Sequence, residues 1–461
     1  MIEVKVKKDR KAFLSQLDNA IDHFIDKSYE HVISISHNDA DGFSCSAIIQ
    51  NLLYKMQIPV EYHIFNLATS WKQYLKNFFS KLGKKKIAFV LTDIGSNVSE
   101  LSQIAEKRKE DFYILDHHEI NQNIEDLEPP ENLFLLNPTV YGFDGLDDIA
   151  GATLTYMFSK QIKPSITKLG WLAILGIAGD SLKSMDKLKS FNLEVYEEIL
   201  SEEIIEENDG VTLFGGMHEK IKEGLRSSIL PFIKELEGEL QKSKILLRKL
   251  KINENTPVVN LKPDEIEKLQ GATKEDIIGK SAILPMKNGL LRFAFEHAIL
   301  LNILGFNNIN MAFNMVLSPN ITLYAKKMYY DYIKNLVKNL NTISKIQKQV
   351  SERAIIIDAS GKISPSNWSD LASFATVNEI LDPEKILFLG GEEQRYHMMK
   401  LSVRCTKRYI ENHPGKGANY IIENIKRELG GIGGGHKLAG GFKISQNSFN
   451  ILRENIDNYI D

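Results

Sequence analysis

Between residues 30 and 138, short apolar runs alternate with stretches of helical periodicity, and this alternation constrains the fold more than any other feature of the chain. The runs are Val32–Ser36, Val60–Phe65, Ile87–Leu91, Phe112–Leu115 and Leu133–Leu136. Helical patterns run from Gly42 through Leu53, over Trp71–Leu82 and over Val98–Arg108. Ahead of them, Phe13, Leu17, Ile21, Phe24 and Ile25 fall at helical spacing within residues 10–28. Strands alternating with helices of about a dozen residues predict a doubly wound parallel sheet with helices on both faces. Sheets of that kind bind ligands beyond the carboxyl ends of their strands.

That edge is where the polar residues collect. His37, Asp39 and Asp41 follow the first run, Asp93 the third, and Asp116, His117 and His118 the fourth. Side chains two apart on an extended backbone point the same way, so His37, Asp39 and Asp41 project together. Asp180 ends the apolar helical stretch Trp171–Ala178, where helix capping is its plainer reading. Five acids on one edge would repel one another and shift each other's ionisation. Divalent cations remove that conflict. Mixed carboxylate and imidazole ligands suit Mn²⁺, Mg²⁺ or Zn²⁺, and there are enough of them for two ions at the roughly 3.5–4 Å spacing of two-metal hydrolases. The competing explanation is a set of unrelated loop acids.

Beyond the first sheet, Gly142-Phe143-Asp144-Gly145 and Asp148-Ile149-Ala150-Gly151-Ala152 lead into a helix that closes a domain of residues 1–185. Residues 186–350 are rich in Glu and Lys, with amphipathic patterns over Glu219–Lys242 and Lys326–Gln349, and read as a mostly helical connector or docking region. A smaller α/β domain, 351–461, is expected from the strands Ala354–Asp358, Ile386–Leu389 and Met398–Val403 and the helix Tyr420–Leu429. It ends in a glycine-rich loop: seven of the chain's 30 glycines lie in residues 430–441, more than turn usage requires. Glycine lets a backbone approach a ligand and aim N–H groups at a phosphate, and His436 and Lys437 add charge there. A flexible hinge is the alternative.

Composition excludes several classes. Cys45 and Cys405 are the only cysteines, too few for a disulfide framework or a four-thiolate zinc site, and fit a reducing cytoplasm. Met1–Val6 is too charged for a signal peptide, and no apolar run approaches the ~18 residues of a membrane span. The net charge of −3 argues against a globally basic nucleic-acid binder while leaving room for a local basic groove.

Taken together, His37-x-Asp39-x-Asp41-Gly42, Asp93, Asp116-His117-His118, Asp180 and Gly433-Gly434-Gly435-His436 resemble the DHH phosphoesterase superfamily. Within it they look most like the RecJ-like nucleases of archaea, including the GINS-associated nuclease. The likeness covers most of residues 30–180 and 350–445. It implies a DHH domain followed by a DHH-associated substrate-binding domain, and two Mn²⁺ ions, with Mg²⁺ as an alternative. His37 and Asp39 would hold one ion, Asp41, His117 and Asp180 the other, and Asp93 would bridge them. Asp116 would orient the site and His118 would contact the scissile phosphate. Ser402, Arg404, Gly433, Gly434, Gly435 and His436 would hold the substrate's phosphates. The implied activity is exonucleolytic hydrolysis of single-stranded DNA or RNA in replication or repair, with a GINS-type complex as a partner.

Two positions depart from the family pattern. Cys45 stands where bacterial members often carry serine, a difference expected to affect packing. Asn302 and Gly305 match an Asn…Gly-Arg pattern of archaeal relatives, but Phe306 replaces the substrate-binding arginine. The competing functions are a phosphodiesterase for short oligonucleotides or cyclic dinucleotides, and a non-catalytic scaffold similar to the replicative-helicase component related to this family. Loss of metal ligands would mark the scaffold, and the ligand set here is complete.

Overall fold

The computed structural model describes residues 8–65, 70–80, 86–120, 128–181, 183–286, 291–318, 321–393 and 397–460. The chain divides into two compact units, one of Lys5–Thr212 with Ile278–Tyr330, the other containing Leu213–Ile277 with Asp331–Asp461. The middle stretch 186–350 is therefore shared between the units rather than forming one body of its own.

In the first unit, β1 (His31–Ser36), β2 (Val60–Ile64), β3 (Ile87–Thr92), β4 (Asp111–Leu115) and β5 (Leu133–Leu136) form an all-parallel sheet in the order β2-β1-β3-β4-β5. The helices are α1 (Arg10–Asp26), α2 (Ala40–Met56), α3 (Trp71–Phe79), α4 (Val98–Ala105), α5 (Gly151–Ile162) and α6 (Gly170–Ser181). The expected end of the third helix at Leu82 lies outside the described residues. Ile33, Ile35, Phe89, Leu91, Phe112 and Ile114 close one face against Trp71 and Leu75 of α3 and Val98 and Leu101 of α4. Helices α1, α2 and α5 cover the other face. Burial on both faces explains why β3 and β4 are apolar at nearly every position instead of alternating.

Strand order reverses between β1 and β3, the switch point at which doubly wound sheets open a crevice. Helix α2 begins there. Asp39 caps it by accepting the Gly42 N–H at 2.9 Å. The helix is buried nearly all round, which its small residues Ala40, Gly42, Ser44, Cys45, Ser46 and Ala47 permit. Cys45 is fully buried, and burial pushes its thiol pKa well up.

A two-stranded antiparallel pair, β6 (Glu206–Val211) with β7 (Ile278–Ile283), belongs to this unit and was not evident from periodicity. Glu219–Lys242 is not the single helix that its pattern predicts. Helices span Ile221–Ser227 and Leu240–Leu250, and the segment between them holds Pro231, which cannot donate a helical hydrogen bond, and Gly238 at φ +68°. The second predicted amphipathic helix is present as Leu323–Lys345.

The second unit carries a mixed sheet in the order β12-β13-β11-β10-β9-β8, from β8 (Gln349–Val350), β9 (Ala354–Asp358), β10 (Ile386–Glu393), β11 (Met398–Arg404), β12 (Ile432–Gly435) and β13 (Ala439–Ser445). Phe388, Leu401, Val403, Phe442 and Ile444 pack on Ile421, Ile422 and Ile425 of the helix Ala418–Leu429. The glycine-rich stretch is an antiparallel edge hairpin of this sheet rather than a loop. Among the described residues no helix is long and apolar enough to cross a membrane.

Candidate metal centre

Sheet register assembles the site. Ser36 pairs with Thr92, and Thr92 with Leu115, so the next residue of each strand, His37, Asp93 and Asp116, emerges side by side. Neighbouring parallel strands lie about 4.8 Å apart, a spacing that converges side chains from three strands on one point. Asp93 adopts φ +57°, a left-handed conformation uncommon outside glycine and tolerated best by Asp and Asn. Its N–H donates to the Leu115 carbonyl at 2.8 Å, which fixes the turn.

Three overlapping groups result, with potential ligand atoms in each lying within 4.8 Å of one another: His37, Asp39 and Asp93; Asp41, Asp93, His117 and Asp180; and Asp93, His117 and His118. Asp93 belongs to all three. His117 Nε2 stands 3.0 Å from Asp93 Oδ1, 3.2 Å from Asp180 Oδ2 and 3.7 Å from Asp41 Oδ2. His37 Nδ1 is 2.5 Å from Asp39 Oδ2 and 3.7 Å from Asp93 Oδ2. Asp180 comes from the last turn of α6, so it faces the same cluster rather than capping an isolated helix end.

Backbone groups hold these ligands in place. Both oxygens of Asp41 accept N–H bonds from the first turn of α5, from Gly151 and Ala152, each at 2.8 Å. The helix N-terminus thus supplies donors and a favourable dipole to a fully buried carboxylate. A Cβ at Gly176 would stand 2.2 Å from Asp41 Oδ1, so only glycine leaves room for the carboxylate against α6. His117 Nδ1–H donates to the Gly145 carbonyl at 2.6 Å. This orients Nε2 toward the three carboxylates, a position that either a proton or a cation satisfies.

Asp116, wholly buried, accepts from the Nδ1–H of His118 at 2.7 Å and from its backbone N–H at 3.2 Å. The side chain of His118 is 27% exposed against 2% for His117, so His118 is the imidazole of the pair that reaches outward. Asn137, following β5, donates to the His118 carbonyl at 2.9 Å. On the far side, Asn302 Oδ1 accepts the Ala40 N–H at 2.7 Å, between the two acids of the first motif.

Ionisation follows the crowding. Burial, then the charges of Asp39, Asp41, Asp180 and Asp116, push the Asp93 pKa well above the usual carboxylate range. Burial and then Asp41 do the same to Asp180. Burial likewise raises Asp41, partly offset by His117. Asp39 and Asp116 go the other way: burial opposes their ionisation, but His37 and His118 respectively hold them low. Burial alone would lower His117, yet Asp180, Asp41 and Asp116 push it up to about 9. Asp93 Oδ2 is buried with no hydrogen-bond partner, as is Asp116 Oδ2. Unsatisfied buried carboxylate oxygens beside imidazoles form a donor set that fits divalent cations.

Of the other predicted residues, Ser402 and Arg404 lie on β11, Gly433, Gly434 and Gly435 on β12, and His436 in the hairpin turn that leads from β12 to β13. Arg404 is engaged internally. Nε donates to Ser373 Oγ, Nη1 to the carbonyls of Val403 and Gly440, and Nη2 to the carbonyl and Oγ of Ser369, at 2.9–3.2 Å. Those contacts use all five N–H groups of a guanidinium, so this arginine ties the sheet to the helix Trp368–Val377. Ser402 is buried and pairs with Gly441. Gly434 is exposed, and a Cβ there would meet nothing within 4 Å.

Sequence reasoning missed Gly145, Gly151, Ala152 and Gly176 as supports, and Asn302 as a partner of the first motif. The Asp41–Gly151 and Ala40–Asn302 contacts span 110 and 262 residues, so no local spacing could report them.

No family model matches the sequence. An uncharacterized protein of Methanocaldococcus jannaschii is 23% identical, with 97% of each chain covered. Among solved structures, CDC45 from Entamoeba histolytica is similar with a TM-score of 0.64 at 13% identity over 97% of both chains. Exonuclease RecJ bound to manganese gives a TM-score of 0.52 at 15% identity, covering 96% of this chain and 94% of that one. The chain has the fold of CDC45 and RecJ. RecJ of Thermus thermophilus with Mn²⁺ shares this fold at a TM-score of 0.56 and 13% identity; the match covers 99% of this chain but 56% of that RecJ. Within this fold, the buried cluster of carboxylates and imidazoles lies at the carboxyl edge of the parallel sheet.

Proposed function

We propose that the chain is a two-metal phosphodiesterase that hydrolyses single-stranded DNA or RNA from an end, acting in replication or repair. The observation that carries this reading is the membership of Asp93 in every ligand group. One carboxylate reaching both sets is what a bridged pair of cations requires. His37 and Asp39 would hold one ion, Asp41, His117 and Asp180 the second, and Asp93 both. Mn²⁺ is the proposed ion and Mg²⁺ its substitute, supported by the manganese in the similar RecJ structures.

When bound, such ions lower the pKa of water and polarise phosphoryl oxygens. The protein's own groups do the rest. His118, oriented by Asp116, faces outward and would donate to a phosphoryl oxygen as charge grows there. Asp41, fixed by two backbone N–H groups, and His117, fixed by Gly145, keep their ligand atoms aimed without reorganisation. The exposed glycine hairpin, with His436 at its turn, is proposed to take substrate phosphates through backbone N–H groups. Ser402 and Arg404 would shape that hairpin from beneath. A cytoplasmic location and a GINS-type partner belong to the same proposal.

The test is degradation of end-labelled single-stranded DNA and RNA, labelled at either end, with Mn²⁺ and Mg²⁺ compared. Shortening that requires the metal and disappears on chelation is expected. Cleavage of a dinucleotide but not of a longer strand would replace this reading with a short-substrate phosphodiesterase. A second reading, a replication scaffold, draws support from the likeness to CDC45, whose TM-score exceeds those of the RecJ structures. Metal-independent behaviour together with a stable GINS-type complex would favour it.

A further inference from the structure

We propose that Phe306 is a stacking platform for a nucleobase of the strand engaged at the metal centre, an inference that rests on the nucleic-acid reading above. The helix Ala294–Asn307 touches the segment that carries the first predicted ligands. Asn302 accepts the Ala40 N–H at 2.7 Å, and a Cβ at Gly305 would stand 2.2 Å from the Asn38 carbonyl oxygen. Asn38 and Ala40 flank Asp39, so this helix face abuts a ligand on both sides. Phe306 is four residues beyond Asn302, on the same face and about 6 Å further along the axis. Helical side chains lean back toward the N-terminus, which carries the ring toward the turn that holds Asn302.

Phe306 is nonetheless 80% exposed. Single exposed apolar side chains are ordinary, and what distinguishes this one is its place. Phe313, on the following helix, is buried and stacked on Tyr62 at 4.4 Å, and Phe43 lies edge-on to it. These neighbouring aromatics therefore serve packing, while Phe306, one helical turn beyond the Asn302–Ala40 contact, leaves its ring exposed to solvent. A strand whose phosphodiester is engaged by the groups around Asp39 and Asp93 would pass close to the helix turn that meets Asn38 and Ala40, where an unpaired base could reach Phe306. Every base has a π-face, so stacking on an aromatic ring tolerates any sequence and requires only an unpaired base. A cationic side chain at this position would bind phosphate; a phenyl ring selects for the base instead.

The test measures binding to the full-length protein by fluorescence anisotropy, with Ca²⁺ in place of Mn²⁺ so that strands stay uncut. The probes are a labelled oligothymidylate and an abasic strand of equal length. The wild-type chain is expected to favour the base-bearing strand about tenfold, the scale of one base–aromatic stack. Phe306→Ala should lose that preference by weakening the base-bearing strand alone, and Phe306→Tyr should retain it. Equal weakening of both strands by Phe306→Ala, an unchanged preference, or no binding of either strand by the wild type would overturn the proposal. Lack of Mn²⁺-dependent cleavage by the wild type would instead sink the nuclease reading, since anisotropy reads binding alone.

Discussion

The Nδ1–H of His117 donates to the carbonyl of Gly145 at 2.6 Å, so the opposite nitrogen, Nε2, is aimed at Asp93, Asp180 and Asp41. A buried imidazole facing three carboxylates is held in the orientation that metal coordination needs before any ion arrives. The bond links two residues on separate segments, one ending β4 and one preceding α5, and it explains why the Gly142–Gly145 motif belongs to the site.

Asp93 is the residue whose loss should be most damaging. Asp93→Asn keeps the side-chain shape and tolerates the left-handed backbone, so the fold should survive. Hydrolysis should fall by at least about a thousandfold, the scale of losing charge stabilisation at a reaction centre. Isothermal titration should show Mn²⁺ stoichiometry dropping below that of the wild type. Normal turnover in a clean preparation of this variant would refute the assignment.

Metal binding should strengthen as pH rises, because cations compete with protons here. His117 is pushed up to about 9, and Asp93 and Asp180 are raised by burial and like charge. A group with a raised folded pKa stabilises the fold fully below its unfolded value and loses that contribution as pH climbs through the folded one. For His117 the window runs from the ordinary 6.5 to about 9, and the raised acids act in the same direction. Chelator-treated protein should therefore melt at lower temperature at pH 9 than at pH 6.5. Mn²⁺ should restore more at the higher pH, and a thermal shift that shrinks with pH would contradict this.

Gly176→Ala should disturb the half of the centre built on Asp41. The new methyl would meet Asp41 Oδ1 at 2.2 Å and Ala152 Cβ at 2.5 Å. Overpacking of this kind costs roughly 1–3 kcal/mol, visible as a lowered urea midpoint. The expected signature is preferential loss of one Mn²⁺ site; two unaltered sites would show that Asp41 is not a ligand.

Asn302→Ala should weaken the centre indirectly by removing the acceptor for the Ala40 N–H. Leaving a partly buried donor unpaired costs about 1–3 kcal/mol. Turnover should fall more than substrate affinity, and Asn302→Asp, which still offers an acceptor, should recover part of it.

Arg404→Lys should act on stability before function, since one ammonium cannot replace five directed donors to Ser369, Ser373, Val403 and Gly440. A destabilisation of about 2 kcal/mol by denaturant titration is expected from several lost hydrogen bonds. Unchanged stability would leave Arg404 available for substrate phosphates, as the family resemblance implies.

Much of this was legible in the residues. Periodicity located all five parallel strands because a sheet buried on both faces needs continuous apolar runs, and strand ends are where such sheets expose polar groups. Placing His37, Asp39, Asp93, Asp116 and His117 on one edge needed nothing more. Periodicity misjudged Glu219–Lys242, where Pro231 and Gly238 interrupt a pattern that remains amphipathic on either side. It also could not show that the glycine run forms paired strands, because glycine carries no side-chain pattern from which pairing could be read.

What the amino-acid sequence determined by itself was the parallel sheet, the edge that collects the acids and imidazoles, and the conflict of charge that calls for cations. Those depend on local pattern, and local pattern is written in adjacent residues. Only the tertiary structure decided that Asp93 lies within reach of every ligand group, that α5 grips Asp41, that Asn302 closes on the first motif from 262 residues away, and that Arg404 is occupied. Each depends on how distant segments pack, and packing is set by the whole chain's burial rather than by spacing along it.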